Sequence, residues 1–325
     1  NVEFLRRLGV WDSIAARAAP VHAMRIHGDD GRAALEFTAY QAGVAELAWI
    51  VEDSTLQCAL WSGLTGVGER CERLAVDERD AVVTFENGSS MSARLVVGAD
   101  GAQSFVRKAA AIDARERDYE QAAVVANFHC PRPHRNVAYQ WFQGGPVLAL
   151  LPLPGDQVSM VWSLPADEAA RIGALAPHGL AAEVTQASRS TLGALTLASG
   201  VRTFALRRLS AHRLVAPRVA LVGDAGHVVH PLAGQGLNLG LQDVRALAET
   251  LLTREPGRDP GDYRLLRRYE RRRAEPILAM DAVVSGLFAL YGARGRSVGR
   301  LRNAGLNLTD RLPVLKNLLI RQAMT

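Results

Sequence analysis

Five glycines, two histidines and two carboxylates fall in one short stretch, Gly223-Asp-Ala-Gly-His-Val-Val-His-Pro-Leu-Ala-Gly-Gln-Gly-Leu-Asn-Leu-Gly-Leu-Gln-Asp243. The apolar run before it, Arg218-Val-Ala-Leu-Val222, has the length and branching of a buried parallel strand. After it, Leu237, Leu241, Val244, Ala248 and Leu251 recur at helical spacing. An acid at a strand's carboxyl end, a glycine-rich loop and a helix N-terminus suit a ligand that carries hydroxyls and negative charge. Asp224 can accept hydrogen bonds from a sugar-alcohol chain, as an acid does from ribose in dinucleotide folds. Gly234 and Gly236 lack side chains, so backbone N–H groups can approach a planar ring. Pro231, with no N–H and a fixed φ, holds the loop flat against one face of such a ring. The helix starting near Gly236 turns its positive end toward the ring. His227 and His230 have no Cys or acidic cluster to complete a metal site, so they read as loop braces. The alternative is a βα turn whose glycines only permit tight packing.

A second strand, turn and helix lies upstream at Leu95-Val-Val-Gly-Ala-Asp-Gly-Ala-Gln-Ser-Phe-Val-Arg107, with the turn at Asp100-Gly101 and Ser104 placed to cap the helix. From His230 to Asp243 the chain matches every fixed position of His-Pro-x-Ala-Gly-Gln-Gly-x-Asn-x-Gly-x-x-Asp. On these motifs it resembles the ubiquinone-biosynthesis hydroxylases, a branch of the FAD-dependent aromatic monooxygenases. The resemblance implies that Gly223, Asp224, Pro231, Gly234, Gln235, Gly236, Leu237 and Asn238 surround the flavin. It places Asp100 and Gly101 in a turn near the FAD pyrophosphate, with Arg107 facing the phosphates or tying the helix down. The same motif has been linked to nicotinamide use, so NAD(P)H or another donor is the expected reductant. Reduced FAD would meet O2, form a C4a-hydroperoxide and pass one oxygen to the ring of a polyprenylated phenol. The cofactor carries that chemistry, so no acid–base triad is required and no catalytic side chain is assigned.

In this family FAD is first gripped by an N-terminal βαβ unit carrying Gly-x-Gly-x-x-Gly. The chain instead opens at Asn1-Val-Glu-Phe-Leu-Arg-Arg-Leu-Gly-Val-Trp-Asp12, inside a helix that the family places after that unit. Gly63-Leu-Thr-Gly-Val-Gly68 has its glycines in another order and follows a helix, so it reads as a helix stop. The expectation is a sequence truncated by about 40–50 residues, binding FAD weakly or not at all by itself and inactive as it stands.

The expected fold class is α/β of mixed α+β character, a flavoprotein-monooxygenase fold lacking its first βαβ unit. Residues 1–118 and 210–290 form a discontinuous FAD-binding domain, 119–209 an antiparallel substrate-domain sheet, and 291–325 a helical C-terminal segment. Residues 21–28 and 32–38 read as a hairpin around Asp29-Asp30-Gly31. Asp53 or Ser54 caps a helix to about Leu64, and 73–94 holds an antiparallel pair. Strands are expected at 122–130, 137–142, 147–151 and 157–164, a helix over 166–192 and a strand over 198–209. Tyr139, Trp141 and Leu150 are candidate pocket walls, because alternating residues of those strands would face the flavin. Core packing is the competing role for all three.

At 325 residues and 48% hydrophobic, the chain can bury one large core or two. No apolar run reaches the ~18 residues that a membrane span needs. Cys58, Cys71 and Cys130 show no metal or redox spacing, which fits a reducing, cytoplasmic setting. The net charge of +5 is uneven: from Val201 onward there are 21 basic and 10 acidic residues, which leaves the first 200 at −6. The densest run, Arg264-Leu-Leu-Arg-Arg-Tyr-Glu-Arg-Arg-Arg-Ala-Glu-Pro276, is a solvated helix face or a peripheral contact with anionic lipid, at roughly 1 kcal/mol per basic residue. No nucleic-acid motif accompanies it. Gly305 to Ile320 is amphipathic, suiting core packing or a contact with a membrane or partner subunit. Three function classes follow: a ring hydroxylase of ubiquinone biosynthesis, another FAD-dependent phenol hydroxylase or reductase, or a non-catalytic interaction subunit of a lipid-synthesis assembly or homo-oligomer.

Overall fold

The computed structural model describes residues 1–28, 34–66, 68–230 and 234–292. Within them the chain forms two compact units. The first is built from Asn1–Leu5, Thr65–Tyr119 and Arg207–Gly286, the second from Arg6–Leu64 and Glu120–Leu206.

In the first unit Val96–Gly98 and Val219–Leu221 pair in parallel, with Val219 opposite Val96 and Leu221 opposite Gly98. Val219, Ala220 and Leu221 are all fully buried. A strand covered on both faces shows no alternation, which is why an unbroken apolar run marked it. Gly98 is required by contact: a Cβ there would lie 2.8 Å from Leu221 Cδ2 and 2.9 Å from Val106 Cβ. A separate three-stranded antiparallel sheet comprises Cys71–Val76, Ala81–Phe85 and Ser90–Ala93. Helices Gly236–Leu252 and Tyr263–Gly292 pack Leu247, Leu266 and Tyr269 onto Val215, Ala220 and Val222. The Tyr269 hydroxyl donates to Leu221 O at 2.7 Å, so the ring's polar end is satisfied inside that core.

The Gly236 helix corrects one expectation. Its buried side carries Leu239, Asp243, Leu247 and Thr250, while Leu237 and Val244 are exposed. Both sets have helical spacing. The sequence pattern chose the wholly apolar one because a buried acid in the other looked like a solvent position.

In the second unit the strands run Gln157–Pro165, Val147–Leu153, Val137–Phe142, Ala23–His27 and Ala34–Thr38, with Ala114–His129 entering on the outer side of Gln157–Pro165. All neighbours are antiparallel except Val137–Phe142 with Ala23–His27, where Val137 lies opposite Ala23 and Trp141 opposite His27. That parallel pairing brings Ala23–His27 and Ala34–Thr38 into the sheet expected at 119–209, and residues 6–64 cluster with that unit. A hairpin is legible locally, but its long-range partner is not. Its turn at Asp29-Asp30-Gly31 lies outside the described residues.

The helix expected over 166–192 is two, Ala166–Gly173 and Pro177–Ala187, with Pro177 opening the second in its first turn. The helix Asp53–Trp61 starts after Glu52, and Asp53 instead accepts Gln57 Nε2 at 2.9 Å. Beyond Gly292, the C-terminal segment expected over 291–325 lies outside the described residues, including the amphipathic stretch from Gly305. Among the described residues no helix is long and apolar enough to cross a membrane.

Candidate functional site

The turn after strand Val219–Leu221 begins at Gly223, whose φ of +59° lies in the left-handed region. It rests against the Gly236 helix: a Cβ on Gly240 would sit 3.3 Å from Gly223 Cα. Two glycines therefore let the turn and the helix meet with no side chain between them. Asp224 follows, exposed at its tip yet flanked by enough protein that loss of solvation raises its carboxyl above the usual range, partly offset by His227.

Asp243, two turns into the helix, is fully buried. It accepts the Gly223 N–H at 2.9 Å, His227 Nε2 at 2.6 Å and Arg273 Nε at 2.6 Å. A carboxylate only accepts, so the His227 proton sits on Nε2. His227 is thus a brace between the turn and the helix. His230 is also buried, its ring edge-on to Tyr119 at 4.7 Å, and burial lowers its pKa to about 4.

At the helix start Gln235 makes no side-chain cap. Gly234 has φ +60°, and apart from chain neighbours and the helix's own backbone no described atom lies within 4 Å of where a Cβ on Gly234 or Gly236 would be. Among the described residues, that clearance at the N-terminus of a 17-residue helix suits a planar, electron-rich group. Asn238 donates from Nδ2 to Gln235 Oε1 at 2.8 Å and accepts at Oδ1 from Asn1 Nδ2 at 2.7 Å. Leu237 projects outward, while Pro231 lies outside the described residues.

In the upstream motif Asp100 accepts Ser104 Oγ at 2.5 Å and the Val106 N–H at 3.1 Å. Ser104 Oγ accepts the Arg107 N–H at 2.9 Å, the expected cap. Gly101 takes φ +79° to make the turn. Of the two roles open to Arg107, the geometry gives the second. It is buried, donating from Nη1 to Ala225 O and from Nη2 to Ala102 O, both at 2.8 Å. The guanidinium thus ties its helix to the Asp224 turn and joins the two motifs.

Tyr139, Trp141 and Leu150 belong to the second unit and are 6%, 1% and 0% exposed. Register puts them on one sheet face with Leu148, Met160 and Trp162, in a core shared with Ile172, Leu180 and Val184 of the two helices. Helices cover that face, so the three side chains lie in packed core, the competing role for them. Arg273 was missed. It lies in the arginine run that reads as a solvated or lipid-facing surface, yet it is buried, unlike Arg271 and Arg272. The one available signal was Asp243, a charge at a position in register with Leu239 and Leu247.

The FAD binding domain family matches the chain over residues 1–282. The chain is 34% identical over 333 residues to ubiquinone hydroxylase UbiL of Rhodospirillum rubrum, covering 98% of this chain and 76% of that protein. It is 33% identical over 336 residues to 3-demethoxyubiquinol 3-hydroxylase of Escherichia coli, covering 100% and 85%. The chain belongs to the FAD-dependent ubiquinone hydroxylase family. As a member it is an FAD-dependent monooxygenase, so the reading as a non-catalytic interaction subunit is set aside. Its fold matches that of Klebsiella pneumoniae HpxO complexed with FAD and uric acid, with a TM-score of 0.77 at 18% identity, covering 99% of this chain and 85% of that one. The residues present fit the flavin half of FAD: an acid at the strand end, two glycines whose Cβ positions meet no described atom beyond their own neighbours, and a helix N-terminus that Gln235 does not cap.

Proposed function

We propose that the protein hydroxylates the aromatic ring of a polyprenylated phenol in ubiquinone biosynthesis, with O2 as co-substrate and NAD(P)H or another donor as reductant. The observation that carries this reading is the identity to two such hydroxylases over nearly the whole chain. Bound FAD, once reduced, supplies the activated oxygen. The chain's own residues hold and polarise it. Asp224 accepts hydrogen bonds from the ribityl hydroxyls beside Gly223. Gly234, Gln235, Gly236, Leu237 and Asn238 present the helix's positive end to the ring's N1 and C2 carbonyl, which gain negative charge on reduction. Asp100 and Gly101 shape the turn near the pyrophosphate, and the expected role of Pro231 falls outside the described residues.

The substrate is assigned to the sheet face that the helices leave open. Register aligns Gln140, Ala149, Val161 and Val125 in one row on that face. Ala149, Val161 and Val125 remain half-buried where their neighbours on the other face are fully buried. A single amide in an apolar row suits a phenol with a greasy tail.

A peripheral contact with the inner face of a membrane is part of the reading. Arg264, Arg271 and Leu278 stand seven residues apart on the exposed side of the Tyr263 helix, with Val283 exposed nearby. Quinone profiling of a deletion strain is the test. An accumulating quinone precursor one hydroxyl short is the expected result, and a wild-type quinone pool would refute the reading.

A further inference from the structure

We infer that Arg273, acting through Asp243 and together with His227, is a positioning residue that fixes the Asp224 turn relative to the start of the Gly236 helix. The inference rests on the FAD reading of that site, but not on the identity of the substrate. The Asp243 carboxylate is held by three donors of different origin. Gly223 N–H and His227 Nε2 come from the turn segment, and Arg273 Nε comes from the Tyr263 helix. Arg273 also donates from Nη1 to Gln242 Oε1 at 3.2 Å and from Nη2 to Leu239 O at 3.3 Å, the latter one turn into the helix. One planar cation therefore reads three acceptors along the buried side of the helix, a fork that an ammonium cannot reproduce.

Gly223 and Gly240 let the turn and the helix touch without side chains, which fixes their closeness but not their orientation. The Asp243 carboxylate bonds across that contact, and its own orientation depends on a compensating charge. Without Arg273, a fully buried carboxylate would lack a compensating cation and would turn toward water. The Gly223 N–H would then lose its acceptor, and Asp224, the next residue, would lose its fixed place. Arg271 and Arg272, beside it in the same arginine run, are exposed, so this role belongs to Arg273 alone among the three.

The test uses the FAD-loaded protein and reads flavin affinity and flavin spectrum separately from hydroxylation. Arg273→Lys should weaken FAD binding by about tenfold or more and shift the visible absorption and circular dichroism of the bound flavin. The melting temperature of the flavin-free protein should stay close to that of the parent. Arg272→Lys should change none of these. Asp243→Asn combined with Arg273→Lys should be no worse than the more severe single variant, within about threefold, because both act on one contact. FAD affinity within about twofold of the parent with an unaltered flavin spectrum in folded Arg273→Lys would overturn the inference, as would additive losses in the double variant. Should Arg273→Lys fail to fold, His227→Phe carries the test. It keeps the Arg273–Asp243 pair and the Gly223 N–H contact and removes only the His227 tie, so unchanged FAD affinity there is equally fatal to the joint role inferred. A failure of the substrate reading would appear instead as normal flavin binding and spectra without hydroxylated product.

Discussion

Asp224 and Asp243 sit in one motif, yet the fold gives them opposite surroundings, and the difference decides what each can do. Asp224 meets solvent at a turn and can accept from a ligand; Asp243 is sealed and can only hold protein in place. Asp224→Ala in the full-length protein should lower its flavin content on purification, since a hydrogen bond to a charged acceptor contributes about 1.5–3 kcal/mol. Unchanged flavin occupancy would remove Asp224 from the site. His230 supplies a pH dependence. Its folded pKa of about 4 lies below the unfolded value near 6.5, so the unfolded chain binds the extra proton between the two. The stability tied to its neutral, buried form is present above about pH 6.5 and lost as pH falls toward 4, on the order of 3 kcal/mol in full. His230→Phe keeps an aromatic edge for Tyr119 and should flatten that loss in urea titrations from pH 7 to 4. An unaltered slope would mean that other groups carry the acid sensitivity. At this scale the motif made Asp224, Gly234 and Gly236 legible, because their spacing is itself the signal. Arg273 was hidden among other arginines, and only its burial separates it from them.

Among the elements, the sheet of the second unit shows how far a period can be trusted. Alternation within Val137–Phe142 and Val147–Leu153 was visible in the sequence, but which half of it meets the helices Ala166–Gly173 and Pro177–Ala187 was not. Parity is a long-range property, since a single step exchanges the two faces. Trp141, 1% exposed and stacked at 5.7 Å on Tyr139, should therefore behave as core. Trp141→Ala should cost about 3–5 kcal/mol of stability. A variant that keeps its stability but loses substrate affinity would restore Trp141 to a pocket. The start of the Gly236 helix gives the opposite expectation. A side chain at Gly236 meets no described atom, so Gly236→Val should leave the flavin-free protein nearly as stable as the parent. In the loaded protein the same branched side chain would fill space the flavin ring needs. A variant that purifies yellow and turns over normally would show that the loop does not face the ring.

For the molecule as a whole, charge was readable before any fold was known, and the fold sorts it. The C-terminal surplus of arginines proves to be of two kinds. Arg273 is drawn inward by Asp243, and Arg218 is enclosed by main-chain carbonyls and Asp259, so both are spent on structure. Arg264 and Arg271 remain on the exposed side of the Tyr263 helix, in line with Leu278, and the run is neither uniformly solvated nor uniformly available. A polyprenylated substrate partitions into lipid, so an enzyme that meets it gains from residence at an anionic surface, where each basic residue contributes about 1 kcal/mol. On the proposed membrane contact, two arginines and one leucine would give a weak, salt-sensitive attachment rather than an anchor, because such attraction is screened within about 10 Å at 0.1 M salt. The protein should therefore co-float with vesicles containing anionic phospholipid at low ionic strength and be released as salt rises. Arg264→Glu with Arg271→Glu should abolish flotation while leaving flavin content unchanged, since neither residue touches the Asp224 turn. Equal flotation of that double variant, or equal binding to vesicles of neutral lipid, would show that this helix face is not what meets the membrane.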